Sequence, residues 1–136
     1  VRPHDSEEVM QQVLIDACGW VAVIDSGMNF DSELRSSLGR PELFLLPKVM
    51  EELQRIDALR PRGKKLLLQM LEMKSSEISP RSESGAHTDD QLLDLAKTSG
   101  MIVLTVDVKL KRRLFEQTVA VLEVTKKKCL RLVEGL

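Results

Sequence analysis

Four acidic side chains stand where an α/β fold would bring them to one edge of its sheet. Two follow apolar runs, at 21–24 and 101–106, that are typical of buried strands, and two lie in the first turns of predicted helices. In chain order they are Asp25, Glu52, Asp90 and Asp107. Ligands of open α/β sheets bind beside the carboxyl ends of the strands, so we expect these carboxylates to converge. Because converging carboxylates repel one another, the pattern favours a site where shared protons or divalent cations offset the charge.

Strands alternate with helices along almost the whole chain. Capping boxes at 5–8 and 88–91 predict two helix starts, and apolar, β-branched runs predict the strands. The predicted strands cover 20–24, 43–46, 75–79, 101–106, 119–124 and 129–133. The predicted helices cover 5–17, 30–37, 47–56, 64–73, 88–99 and 108–116. This alternation predicts an α/β fold, a three-layer α/β/α sandwich with a mostly parallel sheet. We expect a single domain over 1–136, in which residues 1–19 add a helix before the first strand.

The charge of the chain is nearly balanced but unevenly distributed. The 136 residues carry 20 Lys and Arg against 21 Asp and Glu, a net charge of −1, which excludes a uniformly basic nucleic-acid coat. Basic stretches at 60–65, 109–113 and 126–131 could still hold a polyanion beside an acidic pocket. Solvated helix and turn faces explain the same stretches equally well.

Cysteine, histidine and apolar patterning exclude several other classes of protein. Cys18 and Cys129 lie outside any C-x-x-C motif and His4 and His87 are isolated, so no zinc or redox motif is present. No apolar run approaches the roughly 20 residues of a membrane helix, and the polar start lacks a secretory signal, which favours a cytoplasmic protein without a membrane partner. With 3% aromatic residues and no tyrosine, base stacking is not expected to carry nucleic-acid recognition.

Four segments, in order, resemble the motifs of the PIN-domain nucleases. Residues 23–26 (VIDS) are similar to that family's first strand end, and 46–53 (LPKVMEEL) to its P-x-V-x-x-E-L helix. Residues 87–96 (HTDDQLLDLA) resemble its D-D-x-L-L-x-L-A helix, and 104–114 (LTVDVKLKRRL) its T-N-D-x-x-L-K-R-x-L turn. The resemblance covers most of the chain. With the basic turn at 125–128, the last two segments look closest to members that process ribosomal RNA.

The resemblance implies an endoribonuclease that hydrolyses RNA phosphodiester bonds with Mg²⁺ or Mn²⁺. Carboxylates are hard oxygen ligands suited to those ions, which would activate a water and stabilise charge on the phosphoryl oxygens. The implied catalytic and metal-binding residues are Asp25, Glu52, Asp90 and Asp107. Asp89 is the alternative to Asp90, which is preferred because it directly precedes the x-Leu-Leu run. The implied neighbours of a metal-bound water are Ser26 and Thr105. The implied RNA-binding residues are Lys109, Lys111, Arg112 and Arg113.

Two departures and several alternatives accompany this interpretation. Gly27 and Val106 stand where the PIN-domain pattern has polar neighbours of the first and last acids, so Asp25 and Asp107 would have fewer hydrogen-bond partners around them. The main alternative is a catalytically silent PIN-like module that binds RNA or a protein partner, and a toxin of a toxin–antitoxin pair would share the nuclease chemistry. The fold also permits homodimers. A haloacid-dehalogenase-like phosphatase is disfavoured, because Gly27 occupies the place of its second aspartate, and the early acids do not suit a response-regulator receiver.

Overall fold

The computed structural model describes residues 10–81 and 87–135, which fold around one six-stranded sheet. The strands are β1 (Gln12–Ile15), β2 (Glu42–Leu45), β3 (Ser75–Glu77), β4 (Ile102–Leu104), β5 (Val121–Val124) and β6 (Leu130–Val133). The helices are α1 (Ala17–Ser26), α2 (Phe30–Leu38), α3 (Pro47–Ala58), α4 (Leu68–Lys74), α5 (Thr88–Ser99) and α6 (Val108–Glu116), with a 3₁₀ turn at Arg62–Lys64. Within these described ranges, no helix has the length and apolar character needed to cross a bilayer.

The sheet has the strand order β3-β2-β1-β4-β5-β6, and only the β5–β6 pair is antiparallel. The predicted α/β sandwich with a mostly parallel sheet is therefore confirmed. The strand order reverses at β1, which pairs with β2 on one side and β4 on the other. Right-handed crossovers then put the helices of the two halves on opposite faces of the sheet. The carboxyl ends of β1 and β4 flank this reversal, which is where doubly wound folds bind ligands.

The first part of the described chain differs most from the sequence-based prediction. The helix predicted over 5–17 is wrong from Gln12 onward, because β1 lies there, and its capping box at 5–8 lies outside the described residues. The strand predicted over 20–24 is also wrong, since these residues lie inside α1. Val13 and Ile15 are fully buried between β2 and β4, as a central parallel strand requires.

Helix α1 looks like a strand in the sequence because nearly all its sides are covered. Trp20 is fully buried, packs edge-on against Phe30 at a ring distance of 5.3 Å, and donates its Nε1–H to the Leu66 carbonyl at 2.8 Å. From Ala17 to Ile24 every residue of the helix is buried or partly buried, so this part of its sequence lacks the polar face that marks an amphipathic helix. The helix ends at Gly27, whose φ of 73° is the left-handed cap conformation that favours glycine.

Gly19 does not end a helix but allows α1 to lie directly against the end of β4. A Cβ placed on Gly19 would come within 2.4 Å of the Leu104 carbonyl oxygen. The same carbonyl accepts the Asp16 N–H at 3.0 Å. The start of α1 and the end of β4 are thus joined at one place, which brings Asp16 beside the residues that follow β4.

The remaining elements follow the predictions closely. Helices α2, α3, α5 and α6 and strands β2 to β6 lie within the predicted segments or a few residues of them, whereas the helix predicted over 64–73 is shorter and starts at Leu68. The capping box predicted at Thr88 is wrong: His87 is the N-cap residue of α5, and it makes no side-chain capping bond.

Candidate active site

Asp16 occupies the carboxyl end of the central strand, between β1 and α1. The residue is buried, with 6% of its surface exposed, and both of its carboxylate oxygens accept hydrogen bonds. Oδ1 accepts the Ala17 N–H at 2.9 Å, while Oδ2 accepts the Thr105 hydroxyl at 2.8 Å and the Cys18 thiol at 3.0 Å. A carboxylate held by three donors has a defined orientation before any ligand arrives.

Thr105 connects Asp16 to a second acid on the neighbouring strand. Its fully buried Oγ1 donates to Asp16 and accepts the Asp107 N–H at 3.1 Å. Asp107 in turn caps α6, since its Oδ1 accepts the Leu110 N–H at 3.0 Å. One hydroxyl therefore sets the positions of two acids across the point where the strand order reverses.

Glu52 on α3 and Asp89 on α5 complete the acidic group, as their pKa values indicate. Burial raises the pKa of Glu52 first, and the charges of Asp16 and Asp89 raise it further, against Arg55. Burial also raises the pKa of Asp89, followed by the charges of Asp16 and Asp107, with a smaller contribution from Asp90 against Arg113. The charges of Asp16 and Asp89 thus act on Glu52, and those of Asp16 and Asp107 act on Asp89, which links acids from four parts of the chain.

Asp25 and Ser26, by contrast, lie at the far end of α1. The Asp25 side chain is 50% exposed and bound to Arg60. Asp25 follows Asp16 by nine positions, which is roughly 14 Å along the helix axis. The Ser26 hydroxyl donates to the Val23 carbonyl at 2.7 Å and accepts the Met28 N–H at 3.1 Å, contacts that close the helix. The expectation that they join the other predicted site residues is wrong, because the segment that leads to them is a helix running away from the site.

The neighbouring acids Asp89 and Asp90 have opposite environments. Asp90 accepts a hydrogen bond from Arg113 Nη2 at 2.8 Å, and this bond is the main cause of its lowered pKa. The acid preferred from the sequence is thus neutralised by a partner, whereas the alternative, Asp89, is the one coupled to Asp16 and Asp107. The group that the structure brings together is therefore Asp16, Glu52, Asp89 and Asp107.

The basic residues of α6 divide into two pairs. Lys111 contacts Glu123 at 3.2 Å, and Arg113 contacts Asp90 as described above. Lys109 and Arg112 are exposed, and their side chains have no ion-pair partner within residues 10–81 and 87–135. Half of the predicted RNA-binding cations are therefore already matched by acids of the protein.

The donor chemistry of the acidic group fits a hydrated hard cation. In the part of the chain that the structure describes, no three His, Cys, Asp or Glu side chains are close enough to coordinate one ion together. Mg²⁺ nevertheless keeps several waters and usually binds through one or two carboxylates, so a tighter cage is not required. Burial and the charge of Asp16 raise the pKa of Cys18 to about 11, so Cys18 is a neutral thiol in the metal-free protein.

Sequence reasoning missed Asp16, although a signal was available. The run Val13-Leu14-Ile15-Asp16 is an apolar segment that ends in an acid, the pattern used to select Asp25 and Asp107. Its apolar residues also fit helical spacing from Val9 onward, and the predicted helix therefore absorbed it. Gly27, which departs from the polar residue expected after Asp25 and Ser26, is explained by its place as the C-cap residue of α1.

Comparisons with known proteins agree with this architecture. Residues 13–127 match a family model described as "PIN like domain", and the match begins in β1. Ribonuclease VapC4 of Methanocaldococcus jannaschii is 29% identical over 123 residues, covering 88% of this chain and 94% of that protein. The PIN domain endonuclease Utp24 superposes with a TM-score of 0.73 at 17% identity, covering 92% of each chain. PAE2754 from Pyrobaculum aerophilum superposes with a TM-score of 0.55 at 17% identity, covering 87% of this chain and 93% of that one. At such identities, the two structural likenesses concern the fold alone.

Proposed function

The chain belongs to the family of PIN-like domains, and from this premise we propose that it is a metal-dependent endoribonuclease. The proposed active site consists of Asp16, Glu52, Asp89 and Asp107. The observation that carries the proposal is the buried Thr105 hydroxyl at the strand ends, which donates to Asp16 and accepts the Asp107 N–H. Burial and the nearby acids raise the pKa values of Glu52 and Asp89, in agreement with this arrangement. The similarity to a protein named as a ribonuclease supports RNA as the substrate.

The raised pKa values support a cation as part of the site. Burial and the charge of Asp16 make the ionised forms of Glu52 and Asp89 less favourable. A bound Mg²⁺ or Mn²⁺ would offset that repulsion, supply a metal-bound water as the nucleophile and stabilise charge on the phosphoryl oxygens. The proposed ligands are the carboxylates themselves, since both ions prefer hard oxygen donors.

The protein's own residues prepare the site by fixing two of the acids. Asp16 is held by the Ala17 N–H and the Thr105 hydroxyl, and Asp107 is held by the Leu110 N–H and by its own N–H bond to Thr105. Carboxylates that are oriented in advance do not have to reorganise when the substrate phosphate arrives. Thr105 is thus proposed as a positioning residue.

The test is metal-dependent cleavage of a labelled structured RNA by three proteins. The wild type should cleave with Mn²⁺ and stop when EDTA is added. Asp16→Asn should lose activity by more than about 100-fold, because it removes a charged oxygen that the metal requires. Asp25→Asn is the matched control, since it makes the same substitution at the other end of the same helix, and it should leave activity unchanged. Retained cleavage in Asp16→Asn with loss in Asp25→Asn would overturn the assignment.

A second candidate function is a catalytically silent module that binds RNA. It is favoured by one observation, that no three acids among the described residues are close enough to share an ion directly. In that case the wild type would bind the labelled RNA but leave it intact with either metal. Asp16→Asn would then bind RNA at least as well as the wild type, because one negative charge near the phosphates is removed.

A further inference from the structure

The turn between β5 and β6 places exposed lysines at the same sheet edge as the acidic group. Leu104 of β4 pairs with Leu122 of β5 in parallel register. Asp107 and Thr125 each follow three residues later, so the turn begins one strand away from the last acid of the proposed site. Adjacent strands are about 4.8 Å apart.

Hydrogen bonds within the turn hold it in a defined shape. The Thr125 N–H donates to the Cys129 carbonyl at 2.8 Å, and the Lys128 N–H donates to the Thr125 carbonyl at 3.1 Å. Thr125 Oγ1 also accepts the N–H groups of Lys127 at 3.3 Å and Cys129 at 3.2 Å. These hydrogen bonds fix the backbone conformation of the turn, and its lysine side chains extend from that fixed backbone.

The charges around the turn leave a surplus of cations. Lys126 and Lys127 are exposed, and neither side chain has a hydrogen-bond or ion-pair partner among the residues described. A groove of about 540 Å³ runs beside them past Glu123. Glu123 is already contacted by two cations, Arg131 at 2.8 Å and Lys111 at 3.2 Å, and the hydrogen bond from Arg131 contributes most to its lowered pKa. This surface is thus suited to an anion that comes from outside the chain.

We infer that Lys126 and Lys127 bind the backbone phosphates of a single RNA strand that extends from the acidic site across the β5–β6 turn. The inference rests on the proposed function, because it supplies the contact for the same substrate away from the cleaved bond. It also explains how RNA is held when Lys111 and Arg113 are matched by Glu123 and Asp90. Contacts of this kind set affinity and register but read no base sequence.

A matched pair of double variants tests the inference. Lys126→Ala/Lys127→Ala removes two charges from the turn. Arg62→Ala/Lys64→Ala removes two exposed charges from the 3₁₀ turn beyond the end of α3, about 18 Å of helix from the sheet edge that carries the acids. Lys126→Arg/Lys127→Arg keeps the charge of the lysine turn and should bind like the wild type. Circular dichroism establishes that each variant is folded.

The readout is the affinity for a fluorescent single-stranded RNA, measured by anisotropy in EDTA over a range of salt. Each lost phosphate contact lowers the salt slope by about 0.7, so the lysine variant should have a slope smaller by about 1.4. Between 50 and 200 mM salt the wild type should then lose about 7-fold more affinity than the lysine variant. The Arg62/Lys64 variant should keep the wild-type slope. Equal slopes in the two alanine variants, or no measurable RNA binding by the wild type, would overturn the inference.

Cleavage kinetics with Mn²⁺ separate this inference from the proposed function. The lysine variant should raise KM and leave kcat unchanged, since the contacts lie outside the chemical step. Cleavage with equal RNA affinity in all variants would reject the lysine contacts and retain the nuclease. RNA binding that depends on the lysines, without cleavage by any protein, would retain the contacts and reject the nuclease.

Discussion

Replacing Gly19 by alanine should weaken both the fold and the proposed active site. The new Cβ would lie 2.4 Å from the Leu104 carbonyl oxygen, whereas ordinary van der Waals contact begins at 3.4 Å, so about 1 Å of separation is missing. The clashing atom belongs to the backbone of β4, so no flexible side chain can turn aside. The start of α1 must move away from the strand, and Asp16, which donates its N–H to the same carbonyl, must move with it.

Two opposing effects set the size of the change in stability. Overpacking a core costs about 1–3 kcal/mol, and a contact with rigid backbone belongs at the upper end of that range. Alanine is a better helix former than glycine by about 1 kcal/mol, which offsets part of the cost. The net loss in the free energy of unfolding should be about 2 kcal/mol. A displacement of about 1 Å at a catalytic group can also lower activity by about 100-fold.

Urea denaturation followed by circular dichroism measures the loss, and RNA cleavage with Mn²⁺ measures the effect on the site. Gly63→Ala is the control, because a Cβ there meets nothing within 4 Å and should change stability by less than about 0.5 kcal/mol. If Gly19→Ala were as stable and as active as the wild type, the close approach of α1 to β4 would not hold Asp16 in place.

Three further predictions follow from the contacts of the site. Asp89→Asn should raise the free energy of unfolding of the metal-free protein at pH 7. The raised pKa of Asp89 makes its ionised form unfavourable to folding, and the gain over the wild type should shrink as pH falls through that pKa, in urea titrations with EDTA. Thr105→Val should lower the free energy of unfolding by about 1–3 kcal/mol and reduce RNA cleavage. Thr105→Ser should keep wild-type stability and cleavage, because only the serine keeps the hydrogen bond to Asp16. Cys18 should be alkylated about 100-fold more slowly in the folded than in the unfolded protein, because its pKa rises from 9.0 to about 11 on folding and less of the reactive thiolate is present. Timed iodoacetamide labelling, read by mass spectrometry, measures the two rates, and equal rates would contradict the prediction.

Much of the site could be predicted from local sequence. Asp107 follows a β-branched run that is fully buried in β4, and Glu52 lies in a helix that Pro47 opens. The family resemblance implies Thr105 as a neighbour of a metal-bound water, and in the structure its hydroxyl donates to Asp16 and accepts the Asp107 N–H. The elements that carry these residues could be predicted because clear turn and helix-start signals separate strand, turn and helix there.

The first acid could not be chosen from local sequence, for a physical reason. The central strand β1 and the first eight residues of α1 are both apolar and without an exposed polar face, so periodicity does not separate them. What distinguishes them is tertiary: Gly19 fits against Leu104, and Trp20 reaches the Leu66 carbonyl. The choice between Asp89 and Asp90 was equally inaccessible, because it depends on Arg113, which is 23 residues further along the chain and binds Asp90.

The central claim is that Asp16, and not Asp25, belongs to the metal site. Isothermal titration of Mn²⁺ into the wild type, Asp16→Asn and Asp25→Asn at pH 7 tests it without requiring an RNA substrate. We expect the wild type and Asp25→Asn to bind Mn²⁺ equally and Asp16→Asn to bind at least about 10-fold more weakly. Wild-type affinity in Asp16→Asn together with weakened binding in Asp25→Asn would contradict the claim.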